Sequence, residues 1–120
     1  MKDINVDHLK KIKGEQLSSV IFVQNYLQLD FDGNCLTCYK WPKVTVKTRV
    51  YSYGEVEYRN AICELIASNV LDVKSTEDRI WIEFELGSIL FLMVDDSEVI
   101  YFTDSKKEWS YYPIREEYII

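Results

Sequence analysis

Hydrophobic and polar residues alternate most clearly in the second quarter of the chain. Leu27, Leu29 and Phe31 alternate with polar residues, as expected for a strand with one buried face. The next residues, Asp32-Gly33-Asn34, tolerate the positive φ angles of a tight turn. The pattern predicts a β-hairpin whose second strand covers residues 35–39.

The segments on either side of this hairpin carry weaker patterns. Residues 4–13 predict a short amphipathic helix that ends at Gly14. Residues 17–24 are rich in β-branched and aromatic side chains and favour a strand, although the spacing of their apolar residues also fits a helix. After Trp41-Pro42, alternation over residues 44–50 predicts one further strand with an apolar face and a basic face.

The strongest helical pattern covers residues 54–68. Tyr58, Ile62, Leu65 and Ile66 recur at the spacing of a single helix face. Such a helix has one apolar stripe, so it needs a sheet to cover it. The sequence therefore predicts one main helix packed against the strands that follow.

The chain after this helix reads as a series of short strands. They are predicted at residues 70–74, 79–86, 89–94 and 98–103, with connectors too short for crossovers. These strands form a C-terminal β-meander. The whole sequence predicts a single α+β domain, residues 1–120, with an antiparallel sheet of about six strands, one or more hairpins, the main helix on the meander and a short N-terminal helix.

Residues 89–94 are apolar at every position, which predicts that both faces of this strand are buried. Three covers are possible: the C-terminal segment 105–120 with Trp109, Tyr111 and Tyr112, a second copy of the chain in a homodimer, or a partner protein. The segment 105–120 is too apolar for a free tail, so we expect it to dock.

Composition and charge narrow the classes of function. The 120 residues have a formal net charge of −6 and 48% hydrophobic residues, which suits a globular domain and disfavours binding to nucleic acid or to anionic membranes. The N-terminus resembles no secretory signal, and no apolar run approaches the length of a membrane span. Three cysteines, an odd number, favour reduced thiols. We expect a soluble cytoplasmic protein.

Motifs for catalysis or for cofactors are missing from the sequence. The single histidine, His8, lies among lysines and reads as a solvated surface residue. Cys35 and Cys38 would point to opposite faces of a strand and could not chelate a metal together. Residues 30–34 resemble the start of a calcium loop, but Trp41 stands where its bidentate Glu belongs. The sequence predicts no catalytic residues, no cofactor and no metal.

The distribution of charge is the most informative feature. Residues 1–60 have a net charge of +2 and residues 61–120 a net charge of −8. Trp81 lies among these acids on a strand face that is not the predicted core face, where it could anchor a basic protein partner. The predicted partner-binding residues are Glu77, Asp78, Trp81, Glu83, Glu85, Asp95, Asp96 and Glu98.

With this acidic group, Trp81 and its small size, the chain resembles the small acidic immunity proteins of bacterial toxin systems. The resemblance covers size, charge and layout, and it includes no diagnostic motif. It implies a non-enzymatic protein that neutralises a basic cognate toxin by steric occlusion. Acidic side chains would then accelerate the encounter, and buried aromatic residues would set the lifetime of the complex.

Other classes of function stay open at this stage. One is a small-ligand-binding domain with a pocket between helix and sheet, lined by Tyr26, Tyr58 and Trp81. A second is an enzyme that uses carboxylates and a metal ion. A third is a structural homo-oligomer.

Overall fold

The structure, a computed structural model, describes residues 3–94 and 100–112, most of them in β-strands. Ten strands form two five-stranded antiparallel sheets within these residues. The first sheet has, in spatial order, β1 (Ser19–Phe22), β2 (Leu27–Phe31), β3 (Asn34–Cys38), β9 (Ile100–Thr103) and β10 (Trp109–Tyr112). The second has β5 (Arg49–Tyr51), β4 (Lys43–Val46), β8 (Ile89–Met93), β7 (Arg79–Phe84) and β6 (Val70–Ser75).

The two sheets bury their inner faces in one hydrophobic core. Alternation places Leu27, Leu29 and Phe31 of β2 in the core, while Ile80, Ile82 and Phe84 do the same from β7. Ring centroids of Phe31 and Phe84 are 6.4 Å apart, so the sheets meet through these side chains. The predicted hairpin of residues 27–39 is confirmed as β2 and β3, with Asp32 and Gly33 at positive φ.

The predicted α+β class, with a main helix packed on a meander, is wrong: the fold is mainly β. The only α-helix among the described residues is α1, Tyr58–Cys63, with six residues. The expected apolar stripe is largely correct, since Tyr58, Ile62 and Leu65 are buried. Beyond Cys63 the chain tightens into single turns, because Ala67 adopts a positive φ and its N–H bonds to the Leu17 carbonyl at 2.8 Å.

The predicted meander is correct for β6, β7 and β8 and wrong for the strand that follows. β9 leaves the second sheet and pairs with β3 in the first. Ile100 and Phe102 are fully buried there, and Phe102 is paired with Leu36. The change of sheet therefore falls between Met93, the last residue of β8, and Ile100, the first residue of β9.

The predicted single strand over residues 44–50 is a hairpin in the structure. β4 and β5 are joined by Lys47 and Thr48, both with positive φ angles, 52° and 68°. Two such residues form the primed turn that suits a tight hairpin. The turn shifts the alternation, so Val44 and Val46 are buried whereas Val50 lies opposite Thr45 on the outward face.

The N-terminal segment forms less regular structure than predicted. A 3-10 helix covers Leu9–Ile12 and buries both terminal side chains. The segment after it begins the first sheet with β1, which confirms the predicted strand within residues 17–24. Among the residues the structure describes, no helix has the length and apolarity needed to cross a membrane.

Candidate interaction surfaces

The acidic residues predicted to bind a partner are divided by β7. Trp81 and Glu83 lie together on the outward face of this strand, and the Trp81 indole N–H donates to Glu83 Oε2 at 3.3 Å. Lys74 Nζ on β6 is 3.2 Å from the same carboxylate oxygen. The charge of Glu83 is therefore partly compensated within the sheet.

The remaining predicted acids lie at the two ends of this strand. Glu77 and Asp78 are in the turn before β7, where Asp78 Oδ1 is 3.6 Å from Arg79 Nε. Glu85 follows the strand, roughly 20 Å away at the usual rise per residue, and its side chain accepts the Asn69 N–H at 3.2 Å. Asp95, Asp96 and Glu98 lie outside the described residues.

The outward face of β8 is partly exposed. Ile89 and Phe91 are half-buried, and Met93 is 42% exposed. The prediction that both faces of this strand are buried is therefore wrong for Met93. Of the three covers considered for this strand, the one by Trp109, Tyr111 and Tyr112 does not occur, because β10 pairs with β9 in the first sheet.

Five aromatic side chains, three of them exposed and two half-buried, lie on the outward face of the first sheet. Trp109 is 61% exposed, Tyr39 49% and Tyr111 39%. Ring centroids of Tyr101 are 4.8 Å from Tyr111 and 6.2 Å from Trp109, so these three rings form one cluster. We call the whole set the aromatic face; its members are Tyr26, Tyr39, Tyr101, Trp109 and Tyr111.

Strand register explains why these rings share a face. Tyr101 is paired with Tyr111, and Thr103 with Trp109, so all four side chains point away from the core. Tyr26 and Tyr39 extend the cluster, with ring centroids 5.9 Å apart. The pKa of the Tyr39 phenol is raised by its partial burial first and then by the neighbouring Tyr111, Tyr26 and Tyr101.

The histidine predicted to be solvated is held at both ring nitrogens. His8 Nδ1 is 2.7 Å from Ser110 Oγ, and Nε2 is 2.9 Å from Asp104 Oδ2. The edge of the imidazole also meets Phe102, with ring centroids 4.8 Å apart. The prediction failed because Asp104 and Ser110 are distant in the sequence and approach His8 only after β9 and β10 join the first sheet.

Asp104 is the centre of this network. Its side chain is only 1% exposed, and Lys11 Nζ is 2.8 Å from the oxygen that contacts His8. The other oxygen accepts the backbone N–H groups of Lys106 and Glu108. Lys11 and His8 hold the pKa of this carboxyl well below its usual range. The network therefore fastens the N-terminal segment to the hairpin of β9 and β10.

Cys35 and Cys38 lie on opposite faces of β3, as the sequence predicts. Cys38 points into the core, where burial raises its pKa to about 12, and Cys35 is half-buried on the opposite face. Cys63 is exposed on α1. Within residues 3–94 and 100–112, no group of three or more His, Cys, Asp or Glu side chains is arranged to hold a metal ion.

The three side chains predicted to line a ligand pocket lie far apart in the fold. Tyr58 is 2% exposed and donates to the Pro42 carbonyl. Tyr26 belongs to the aromatic face, whereas Trp81 lies on the outward face of the second sheet. No single pocket can contain all three.

Fold and surface together define a mainly β protein of two antiparallel sheets with an exposed aromatic face. No protein-family model matches this chain, and no curated protein or solved structure gives a significant match.

Proposed function

We propose that this chain is a non-enzymatic protein-binding domain and that the aromatic face is its docking surface. The observation that carries the proposal is the exposure of Trp109, Tyr111 and Tyr39 on one face of a sheet. Tyr and Trp are the residue types that most often dominate binding energy at protein interfaces. Monomeric proteins rarely expose such contiguous apolar surface without a use for it.

The charge of the chain indicates the chemistry of the partner. At a net charge of −6, a basic protein would be attracted over a long range. Its Arg and Lys side chains could then stack on the exposed faces of Trp109 and Tyr111 through cation–π contacts. A basic partner thus suits both the overall field and the local surface.

The finer proposal is that the partner is a basic toxin. The resemblance to small acidic immunity proteins implies neutralisation by occlusion, in which the bound chain covers the working surface of the toxin. We propose that this complex forms in the cytoplasm, because Cys35, Cys38 and Cys63 are all free thiols, as is usual in a reducing compartment.

Affinity purification from the native host tests the proposal. The baits are the wild-type chain, the double variant Trp109→Ala/Tyr111→Ala, and the control Val56→Ala, which removes an apolar side chain that is 93% exposed but lies outside the aromatic face. We expect wild type and control to retain one basic protein in stoichiometric amount and the double variant to lose it.

The outcome against the proposal is equally definite. Retention of the same protein by the double variant would show that the aromatic face is not the docking surface. If the captured protein arrests growth when it is expressed alone, co-expression with this chain should restore growth. Growth that stays arrested would contradict the immunity function while leaving protein binding intact.

A further inference from the structure

A groove opens on the outward face of the second sheet, beside the end of β8. Its volume is about 540 Å³, and its lining includes Trp41, Lys43, Val50, Arg79, Phe91 and Met93. This volume falls within the range of small-molecule sites. The groove and the aromatic face lie on different sheets.

The floor of the groove is apolar and accessible. Phe91 and Met93 alternate with buried residues of β8, so both side chains face outward. Met93 is 42% exposed, and Val50 on β5 is 51% exposed. An apolar ligand would therefore remove hydrophobic surface from water without any change of the core.

The charged side chains that line the groove are all basic. Lys43 is paired with Phe91, and Arg79 with Met93, so a base lies on each side of the apolar floor. Lys43 is exposed and forms no ion pair with any residue that the structure describes. Arg79 has Asp78 on one side, 3.6 Å from its Nε.

This arrangement contrasts with the rest of the molecule. The chain contains 20 Asp and Glu residues, yet none of the described residues that line the groove is acidic. β4 and β7 flank β8 in the sheet, and Lys43 and Arg79 are paired with residues two apart on β8, which separates their backbones by about 12 Å. Two long basic side chains at this separation can converge on one anionic group above Phe91.

We propose that this groove binds a small amphipathic anion, an aliphatic carboxylate. Its hydrocarbon chain would lie on Phe91, Met93 and Val50, and its carboxylate would lie between Lys43 and Arg79. This binding activity is separate from the proposed docking of a protein on the aromatic face. Either proposal can therefore fail without the other.

Titration calorimetry with decanoate and with decyltrimethylammonium tests the charge requirement. The head groups have opposite charge, and the alkyl chain of decanoate is one carbon shorter than that of decyltrimethylammonium, so hydrophobic burial alone would favour the cationic probe. We expect decanoate to bind at a 1:1 ratio and at least about tenfold more tightly. Equal affinity for the two probes, or no binding of decanoate at 1 mM (~1,000 times a typical micromolar Kd), would overturn the proposal.

Two groove variants and a matched control locate the site. Lys43→Glu should weaken decanoate binding at least about tenfold, and Arg79→Gln should weaken it in the same direction. The control Lys106→Glu makes the same charge change at an exposed residue of the first sheet's hairpin and should stay within about twofold of wild type. Thermal melts establish that each variant folds, and unchanged binding in a folded groove variant would refute the site.

Nuclear magnetic resonance gives a readout that does not depend on any variant. Decanoate should shift the backbone amide signals of Lys43, Phe91 and Met93 and leave those of Tyr101 and Tyr111 in place. Shifts confined to the aromatic face would contradict the proposed groove.

Discussion

At the scale of single residues, the buried carboxylate of Asp104 is the clearest case of one side chain that holds distant segments together. It contacts Lys11 and His8 from the N-terminal segment and two backbone N–H groups of its own hairpin. Replacing it would remove the acceptor of several part-buried donors, and a donor that loses its acceptor in such a place is destabilising.

Asp104→Asn should lower Tm by roughly 5 °C or more at pH 7, because Lys11 and His8 would face a neutral amide. Thermal melts followed by circular dichroism measure this change. Glu77→Gln is the control, since Glu77 is exposed and has no ion pair within the described part of the chain. An Asp104→Asn variant as stable as the control would contradict the stabilising role of the Asp104 network.

The pH dependence of the same variant follows from the lowered pKa of Asp104. A carboxyl with a lower pKa in the folded state contributes stability above its ordinary pKa of about 4 and loses it as the pH falls further. The difference in Tm between wild type and Asp104→Asn should therefore be largest near neutral pH and shrink below about pH 4. A difference in Tm that stays constant from about pH 7 to about pH 3, across the ordinary carboxyl pKa, would show that ionised Asp104 does not stabilise the fold.

Reactivity of the three thiols is a second test at this scale. Cys63 is exposed, whereas burial raises the pKa of Cys38 to about 12 and also raises that of Cys35. Because the thiolate is the reactive form, iodoacetamide should label Cys63 first, Cys35 slowly and Cys38 only after denaturation. Mass spectrometry of peptides from native and denatured samples measures the order, and rapid labelling of Cys38 in the native protein would contradict the placement of β3.

At the scale of elements, the hairpin of β4 and β5 contains Thr48, the one β-branched residue with a positive φ angle among those that the structure describes. Thr48 is β-branched and has a φ of 68°, a conformation that such side chains rarely adopt. Thr48→Gly should therefore raise the free energy of unfolding by roughly 0.5–1 kcal/mol. Urea denaturation measures the change.

The control for this substitution lies in the adjacent strand. Thr45 is paired with Val50 within the ladder, where glycine is unfavourable. Thr45→Gly should lower the free energy of unfolding, in contrast to Thr48→Gly. A loss of stability in both variants would contradict the claim that the positive φ angle of Thr48 destabilises the folded protein.

Local sequence patterns predicted the individual strands better than they predicted which strands pair with each other. Alternation identified the hairpin of β2 and β3 and the strand β7, because one buried face forces a period of two. An unbroken apolar run identified β8. The helix pattern identified the buried positions of Tyr58, Ile62 and Leu65 correctly, but Ile66 is 40% exposed. The predicted length was wrong, since the Ala67 N–H donates to the Leu17 carbonyl and the Leu17 N–H donates to the Ser68 carbonyl, which interrupts the helix. β9 lies in the first sheet because it pairs with β3. Such a pairing joins residues distant in the sequence and cannot be predicted from a local pattern.

At the scale of the whole molecule, the surfaces available for binding follow from this position of β9. The segment with Trp109 and Tyr111 was one of three predicted covers of β8, and the exposure of these rings on the first sheet could be recognised only once β10 was paired with β9. Trp81 was correctly placed on an outward face. Its acidic neighbours were predicted as one patch, whereas those that the structure describes are divided by the length of β7.

Electrostatic steering is the prediction that belongs to this scale. Glu77→Lys/Asp78→Lys changes the net charge from −6 to about −2 and should lower the association rate with a basic partner and weaken its dependence on salt. Surface plasmon resonance at several ionic strengths measures both effects. An unchanged rate would exclude long-range attraction as part of binding.

The affinity of the captured partner for purified chain variants tests the docking surface most directly. Titration calorimetry should show that Trp109→Ala/Tyr111→Ala weakens binding at least about thirtyfold, since each ring is expected to act as an interface hot spot. Val56→Ala should bind like the wild type. A double variant that folds normally and binds within about twofold of wild type would contradict the assignment of the aromatic face as the interface.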